Sequence, residues 1–155
     1  MNLEKIFKNK KVIVTGHTGF KGSWLTLWLT EIGANVLGVS KDIPTIPSHF
    51  ELLGLGKRIK SKKIDIQNLK EIKKIIKSFK PDFIFHLAAQ SIVRKSYSST
   101  IETWKTNLMG TVNILESLKE NKKETITVII TSDKCYKNIE TKKGYKENDI
   151  LGGED

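Results

Sequence analysis

The chain has 155 residues, 38% of them hydrophobic and 28% charged, which suits one globular domain with a buried core and excludes a disordered tail. No apolar run approaches the roughly 20 residues that span a bilayer, a single cysteine excludes an internal disulfide, and three scattered histidines predict no metal site. The net charge of +10 raises nucleic acid or a membrane surface as partners, but Arg58 and Arg94 are the only arginines and the lysines are spread over the whole length, so neither partner is expected.

Residues 11 to 15, KVIVT, read as a buried strand, and a glycine-rich turn follows. Phe20, Trp24 and Trp28 recur every four residues beside Leu25, Leu29 and Ile32, which predicts a helix with that apolar face on the core and a stop at Gly33. NVLGVS (35–40) is a second strand, and a long excursion with Pro44 and Pro47 contains a short helix around SHFELLG. IKSKKIDI holds a third strand ending near Asp65. NLKEIKKIIKSF is a surface helix with Leu69, Ile72, Ile76 and Phe79 inward, closed by Pro81. DFIFHLAA is a fourth strand, residues 98–120 form one long helix, and ITVIITS is a fifth strand.

Strands alternating with helices of this length predict an α/β fold, a Rossmann-like doubly wound parallel sheet truncated after its fifth strand. Ligands of such sheets bind beyond the carboxyl ends of the strands. Each unusual polar cluster of the sequence falls at such an end.

In TGHTGFKG, Gly16, Gly19 and Gly22 stand three apart between strand and helix. A dinucleotide's pyrophosphate needs bare backbone at a helix N-terminus: Gly16 permits the tight turn, Gly19 the approach of the phosphates, and Gly22 close helix–strand packing. Thr18, Phe20 and Lys21 complete this cofactor-binding turn; the alternative for His17 and Lys21 is that they are merely solvated, and neither is assigned a chemical step. Asp42, beyond the second strand, is placed to grip the adenosine ribose hydroxyls, favouring NAD over its 2′-phosphate, or is an exposed loop carboxylate beside Lys41. Asp65 and Ile66 are placed to frame the adenine.

With TGHTGFKG, the DI pair at 65–66, HLAAQ (86–90) and TN (106–107) in place, the sequence resembles the extended short-chain dehydrogenase/reductase family. More narrowly, GHTGFKGSWL, PTIPSHFEL, FHLAAQSIVRKSY, TNLMGTVNILE and TSDKCY are similar to its NAD-dependent sugar-nucleotide 4,6-dehydratases, in the branch that acts on CDP-glucose. The resemblance implies that residues 1–155 are the amino-terminal portion of an NAD-binding Rossmann domain, with the carboxyl-terminal substrate region absent. It implies an enzyme that makes 4-keto-6-deoxy sugars for surface polysaccharides, and the charged opening MNLEKIFKNKKV, unlike a secretory leader, predicts a cytoplasmic one. Ala88, Ala89, Gln90 and Asn107 would lie along the cofactor. Gln90 and Arg94 would meet the substrate, Arg94 by a fork contact to its diphosphate or else as a surface cap. His86 reads as a satisfied strand-end histidine, and the helix at 98–120 stands where family members pair into homodimers.

The family's 4,6-dehydratases oxidise C4 of the hexose with NAD, eliminate water across C5 and C6, and return the hydride to C6. By resemblance, Ser132 would hydrogen-bond the C4 oxygen, Asp133 would protonate the leaving C6 hydroxyl, and Lys134, standing where glutamate is usual, would take the C5 proton. Residue chemistry alone favours a salt-bridged Asp133–Lys134 pair at a strand end. A basic lysine requires desolvation. Cys135 reads as a small buried thiol.

The Tyr-x-x-x-Lys pair of the family is not found: Tyr97, Tyr136 and Tyr145 are followed four residues later by Ile101, Glu140 and Asp149. The chain is therefore expected to bind a dinucleotide without completing the reaction. Three readings stand: part of a dehydratase, an epimerase or reductase of the same family that would not need the Asp–Lys pair, and a non-catalytic dinucleotide-binding module.

Overall fold

The computed structural model describes residues 3 to 152, and at Asp133 the backbone alone. Strand β1 (Lys11–Thr15) occupies the middle of a five-stranded sheet ordered β3-β2-β1-β4-β5, with β2 (Asn35–Ser40), β3 (Lys60–Lys63), β4 (Phe83–His86) and β5 (Ile126–Ile129). All four pairings are parallel. The central strands are β-branched and aromatic because helices cover both of their faces. The edge strand β3 instead reads KSKK with every residue exposed, and lysines on an unpaired edge discourage pairing with another chain.

Two apolar clusters lie on opposite faces. One joins Ile13, Leu37, Val39 and Ile84 to Ile72 and Ile76 of α4 (Leu69–Phe79) and to Ile114 of α7 (Gly110–Lys119). The other joins Val12, Val14 and Val36 to Phe7 of α1 (Leu3–Phe7) and Leu29 of α2 (Phe20–Glu31). A short α3 (His49–Leu52) is capped by Ser48, whose hydroxyl accepts from the Glu51 N–H.

The parallel, doubly wound sheet expected from the sequence is present, with two corrections. Helix α2 buries Gly22, Ser23, Thr26 and Leu29, whereas Phe20, Trp24 and Trp28 are 71%, 51% and 43% exposed. The helix approaches β1 so closely that its inner face must be small, and the aromatic stripe lies on the other side. The long helix expected over 98–120 runs from Thr100 to Lys119 as α6 (Thr100–Trp104), a π-helical turn (Lys105–Met109) and α7, so the correction is the π-turn within it and a separate α5 (Val93–Ser98) before it. Ser99, at φ −136° and ψ 53°, leaves helical geometry and separates α5 from α6.

Ile84 is fully buried at the centre of the first cluster. Ile84→Ala should therefore cost about 2–5 kcal/mol of stability, the transfer and cavity cost of such a truncation. Urea titration checks this, and an unchanged midpoint would mean that the cluster does not hold the sheet.

Candidate active site at the carboxyl edge of the sheet

The register draws one line across the sheet through Lys62, Val39, Thr15, His86 and Ile129. Every candidate cluster lies just past this line: Gly16 next to Thr15, Asp42 past β2, Asp65 past β3, Ala88 to Gln90 past β4 and Ser132 to Lys134 past β5. At about 4.8 Å per strand the edge spans roughly 19 Å, so an extended dinucleotide can lie along it.

The turn after β1 is packed backbone against backbone. Gly16 has φ +73°, and its N–H donates to the Val39 carbonyl at 2.8 Å. A Cβ on Gly16 would meet Ala88 N at 2.8 Å, and one on Gly22 would meet the Gly16 carbonyl oxygen at 2.0 Å. Gly16 thus locks the turn to β4, and Gly22 lets the helix close upon it. Gly19 differs: it has φ −74°, and an added Cβ would meet only the Gly16 carbonyl, at 3.3 Å. It is the N-cap of α2 and supplies no side-chain cap, so the first-turn N–H groups have no such partner within the helix. Bare backbone at the positive end of a 12-residue helix is a cradle for an anion. Thr18 is buried and braces the turn, its hydroxyl donating to the Asp42 carbonyl at 2.6 Å and its N–H to Ser40 Oγ at 3.3 Å. Lys21 and the Phe20 ring are exposed beside it.

His17 is not solvated as its sequence setting suggested. It is 1% exposed, lies edge-on to Phe50, and has both ring nitrogens bonded, Nε2 to Ser61 Oγ at 2.7 Å and Nδ1 to Ser40 Oγ at 2.8 Å. The ring occupies the space over Gly38, where a Cβ would be 2.3 Å from it. His86 is buried likewise, with Nδ1 2.7 Å from Thr15 Oγ1 and Nε2 3.1 Å from Thr111 Oγ1, so it is the satisfied strand-end histidine expected. Burial pushes each imidazole down to about 4, opposed at His17 by a hydrogen bond to the Val39 backbone.

Asp42 borders a cleft of about 340 Å³ with Thr18, Ile43, Lys62 and Lys63. Lys41, its neighbour, points to Asp65 Oδ2 at 3.1 Å and Glu102 Oε1 at 3.3 Å, and these contacts raise its pKa, the Asp65 hydrogen bond foremost. Gln67 donates to the same Glu102 oxygen at 2.9 Å, the main cause of that carboxyl's lowered pKa. Gln67 and Glu102, and the pairing of Lys41 with Asp65, escaped the sequence reading because these residues meet only in three dimensions. The other oxygen of Asp65 accepts from the Gln67 N–H at 2.9 Å. Ile66 corrects its expectation, because its side chain is 4% exposed and belongs to the core, leaving only backbone to face a ligand.

Ala88 is half-buried and Ala89 exposed. Gln90 is held by Asn107, whose Oδ1 accepts from Gln90 N at 2.7 Å and whose Nδ2 donates to the Gln90 carbonyl at 3.0 Å. Arg94 is exposed on α5. Past β5, Asp133 to Cys135 form a 3-10 turn, and the Lys134 N–H donates to Ser132 Oγ at 3.2 Å. Ser132 and Lys134 are exposed, and the Asp133 side chain lies outside the described residues. Cys135 is exposed rather than buried, because β5 ends at Ile129 and the turn stands clear of the core. Tyr136 and Tyr145 stack on one another at 5.1 Å.

Two histidines held neutral make stability depend on pH. Their folded pKa lies near 4 against 6.5 for the ordinary side chain, so below about pH 6.5 the unfolded chain binds protons that the folded chain refuses. Stability should be full above that pH and fall progressively toward pH 4. Urea midpoints at pH 7.5, 6 and 5 should decline in that order, and less steeply in His86→Gln; a flat series would contradict the assignment.

Residues 13–153 match the family described as GDP-mannose 4,6 dehydratase. The chain is 50% identical over 152 residues to the CDP-glucose 4,6-dehydratase of Salmonella typhimurium, covering 98% of this chain and 42% of that protein. Among solved structures, epimerase Mth375 from Methanothermobacter thermautotrophicus superposes with a TM-score of 0.80 at 28% identity, over 97% of this chain and 43% of that one. MoeE5 in complex with UDP-glucose and NAD superposes with a TM-score of 0.73 at 25% identity, over 92% and 42%. The chain thus spans less than half the length of the relatives it matches, and it belongs to the GDP-mannose 4,6 dehydratase family, within the extended short-chain dehydrogenase/reductases to which its motifs pointed.

Proposed function

We propose that these residues are the amino-terminal, NAD-binding part of a cytoplasmic sugar-nucleotide 4,6-dehydratase, a lyase acting on CDP-glucose in the supply of deoxy sugars for surface polysaccharide. The observation that carries the reading is the convergence of an uncapped glycine turn, Asp42, Asp65, Ala88–Gln90 and the Ser132–Lys134 turn on one sheet edge. The choice of CDP-glucose is supported by the 50% identity to the Salmonella enzyme. Among the described residues, no helix is long and apolar enough to cross a membrane.

The cradle fits NAD, since backbone alone faces the space over Gly19. Bound there, NAD supplies the acceptor and later the donor of a hydride. Gly16, Thr18, Gly19, Phe20, Lys21 and Gly22 hold the diphosphate at the start of α2, and Asp42 takes the adenosine ribose hydroxyls. Asp65 and the backbone of Ile66 face the adenine, with Lys41 offsetting the charge of Asp65. Ala88, Ala89 and Gln90 floor the cofactor, with Asn107 behind Gln90, and Gln90 and Arg94 reach toward the nucleotide sugar.

At the sugar, Ser132 donates to the C4 oxygen. Once C4 is a ketone, the C5 proton is acidic. Lys134 removes it, and Asp133 gives a proton to the C6 hydroxyl, which leaves as water. Lys134 is exposed, so this role requires a bound sugar to strip water from it. The base for the C4 hydroxyl is not among these residues, because Tyr136 and Tyr145 lack the paired lysine. The chain alone therefore binds without turnover. Ile101, Trp104, Leu108, Val112 and Leu115 expose an apolar stripe at helical spacing, which suits pairing of two copies.

Calorimetry with NAD tests the reading. The chain should release or absorb heat at one site. Gly19→Val should weaken binding by at least about tenfold while the chain still unfolds cooperatively in urea, since Gly19 has an ordinary φ and a Cβ there presses only on the Gly16 carbonyl, at 3.3 Å. Equal affinity in parent and variant would remove the phosphates from this turn. In a protein that carries the remaining segment, Lys134→Met should accumulate the 4-keto sugar without dehydration, and normal turnover there would remove Lys134 from the mechanism.

A further inference from the structure

Beyond the residues assigned to cofactor and sugar, the buried interior of the site contains a chain of hydrogen bonds whose direction is fixed. Thr15 Oγ1 accepts from the Ala88 N–H at 3.2 Å and shares the Leu87 N–H with the Thr15 carbonyl, both also at 3.2 Å. With both lone pairs engaged, its one proton goes to His86 Nδ1 at 2.7 Å. The imidazole therefore carries its proton on Nε2 and donates it to Thr111 Oγ1 at 3.1 Å. Thr111 in turn donates to the Asn107 carbonyl at 2.7 Å. Asn107 lies in the π-helical turn, and its side-chain amide pairs with both the N–H and the carbonyl of Gln90. Each hydroxyl proton is used once, and reversing the relay would take the Thr111 proton away from the Asn107 carbonyl.

We propose that His86 is a positioning residue: as the Nε2–H tautomer it ties the end of β1 to the π-turn through Thr111, and so sets the Asn107 clamp on the Gln90 backbone, the floor for the nicotinamide side of the dinucleotide. Other titratable groups do not compete for the ring. The two nitrogens meet only threonine hydroxyls, Thr15 from β1 and Thr111 from α7. Mid-helix π-turns recur at functional sites because they re-aim one side chain out of helical register; here the re-aimed residue is Asn107, and Thr111 four positions on braces its carbonyl. The arrangement accounts for two features left unused by the proposed chemistry: a buried histidine at the end of β4 and an interrupted helix opposite it.

This inference rests on the dinucleotide reading for its consequence but not for its geometry, and its test separates the two. Long-range ¹H–¹⁵N NMR of the full 155-residue chain should show His86 protonated at Nε2; protonation at Nδ1 would overturn the relay whatever the cofactor does. Thr111→Val removes one hydroxyl at nearly constant volume. It should speed hydrogen exchange at the Gln90 amide about tenfold or more and weaken NAD binding about tenfold, while amides of β1 and β2 keep their protection. Thr111→Ser, which restores the hydroxyl, should recover both. A Thr111→Val chain with parental Gln90 exchange and parental affinity would refute the positioning role. If the parent chain binds no NAD, the dinucleotide reading fails, and tautomer and Gln90 exchange still decide the relay.

Discussion

The approach of Gly22 to the Gly16 carbonyl sets the rest of the site. A Cβ at Gly22 would overlap that oxygen at 2.0 Å, and a Cβ at Gly16 would overlap the backbone of Ala88. Helix α2 therefore begins directly above the joint between β1 and β4, with its first-turn N–H groups at the sheet edge. The cost appears on the other side of the helix. A face narrow enough to dock here is made of Gly22, Ser23 and Thr26, so the large aromatic residues of α2 are left on the outside.

Around this joint the two buried imidazoles are satisfied internally. His17 and His86 sit on opposite faces of the same sheet, each with two hydroxyl partners. Buried imidazoles that titrate near 4 are uncharged at neutral pH, so they add hydrogen-bond direction to the site without adding charge. The ionic groups lie further out, where Lys41 meets Asp65 and Glu102 across three separate segments. These exposed pairs are worth little as stability. Their use is to hold the loops after β2 and β3 beside α6.

Much of this architecture is legible in the sequence for a definite reason. KVIVT and NVLGVS are continuous apolar runs because both sheet faces are covered, and their bounds match β1 and β2 residue for residue. The helix over 69–79 is equally plain, since its isoleucines and lysines separate cleanly by face. Periodicity placed half of α2: Leu25, Leu29 and Ile32 pack on the core as expected, but the pattern could not say that the neighbouring aromatic stripe of Phe20, Trp24 and Trp28 stays outside. It missed the π-turn because Asn107 leaves helical register to reach Gln90, a partner 17 residues away. The two histidine networks were invisible because their links join residues 23 to 71 positions apart. Cys135 misled because an apolar run before it suggested a strand longer than β5 proves to be.

The central claim is that five strand ends form one platform for a dinucleotide, with its diphosphate at the start of α2. Mapping amide chemical shifts during an NAD titration tests it most directly. The account predicts shifts concentrated at residues 16–23, 42, 65–67 and 88–90, with α4 unmoved. Saturable binding whose shifts fall on α4 or on the lysine edge of β3, with the glycine turn silent, would contradict it.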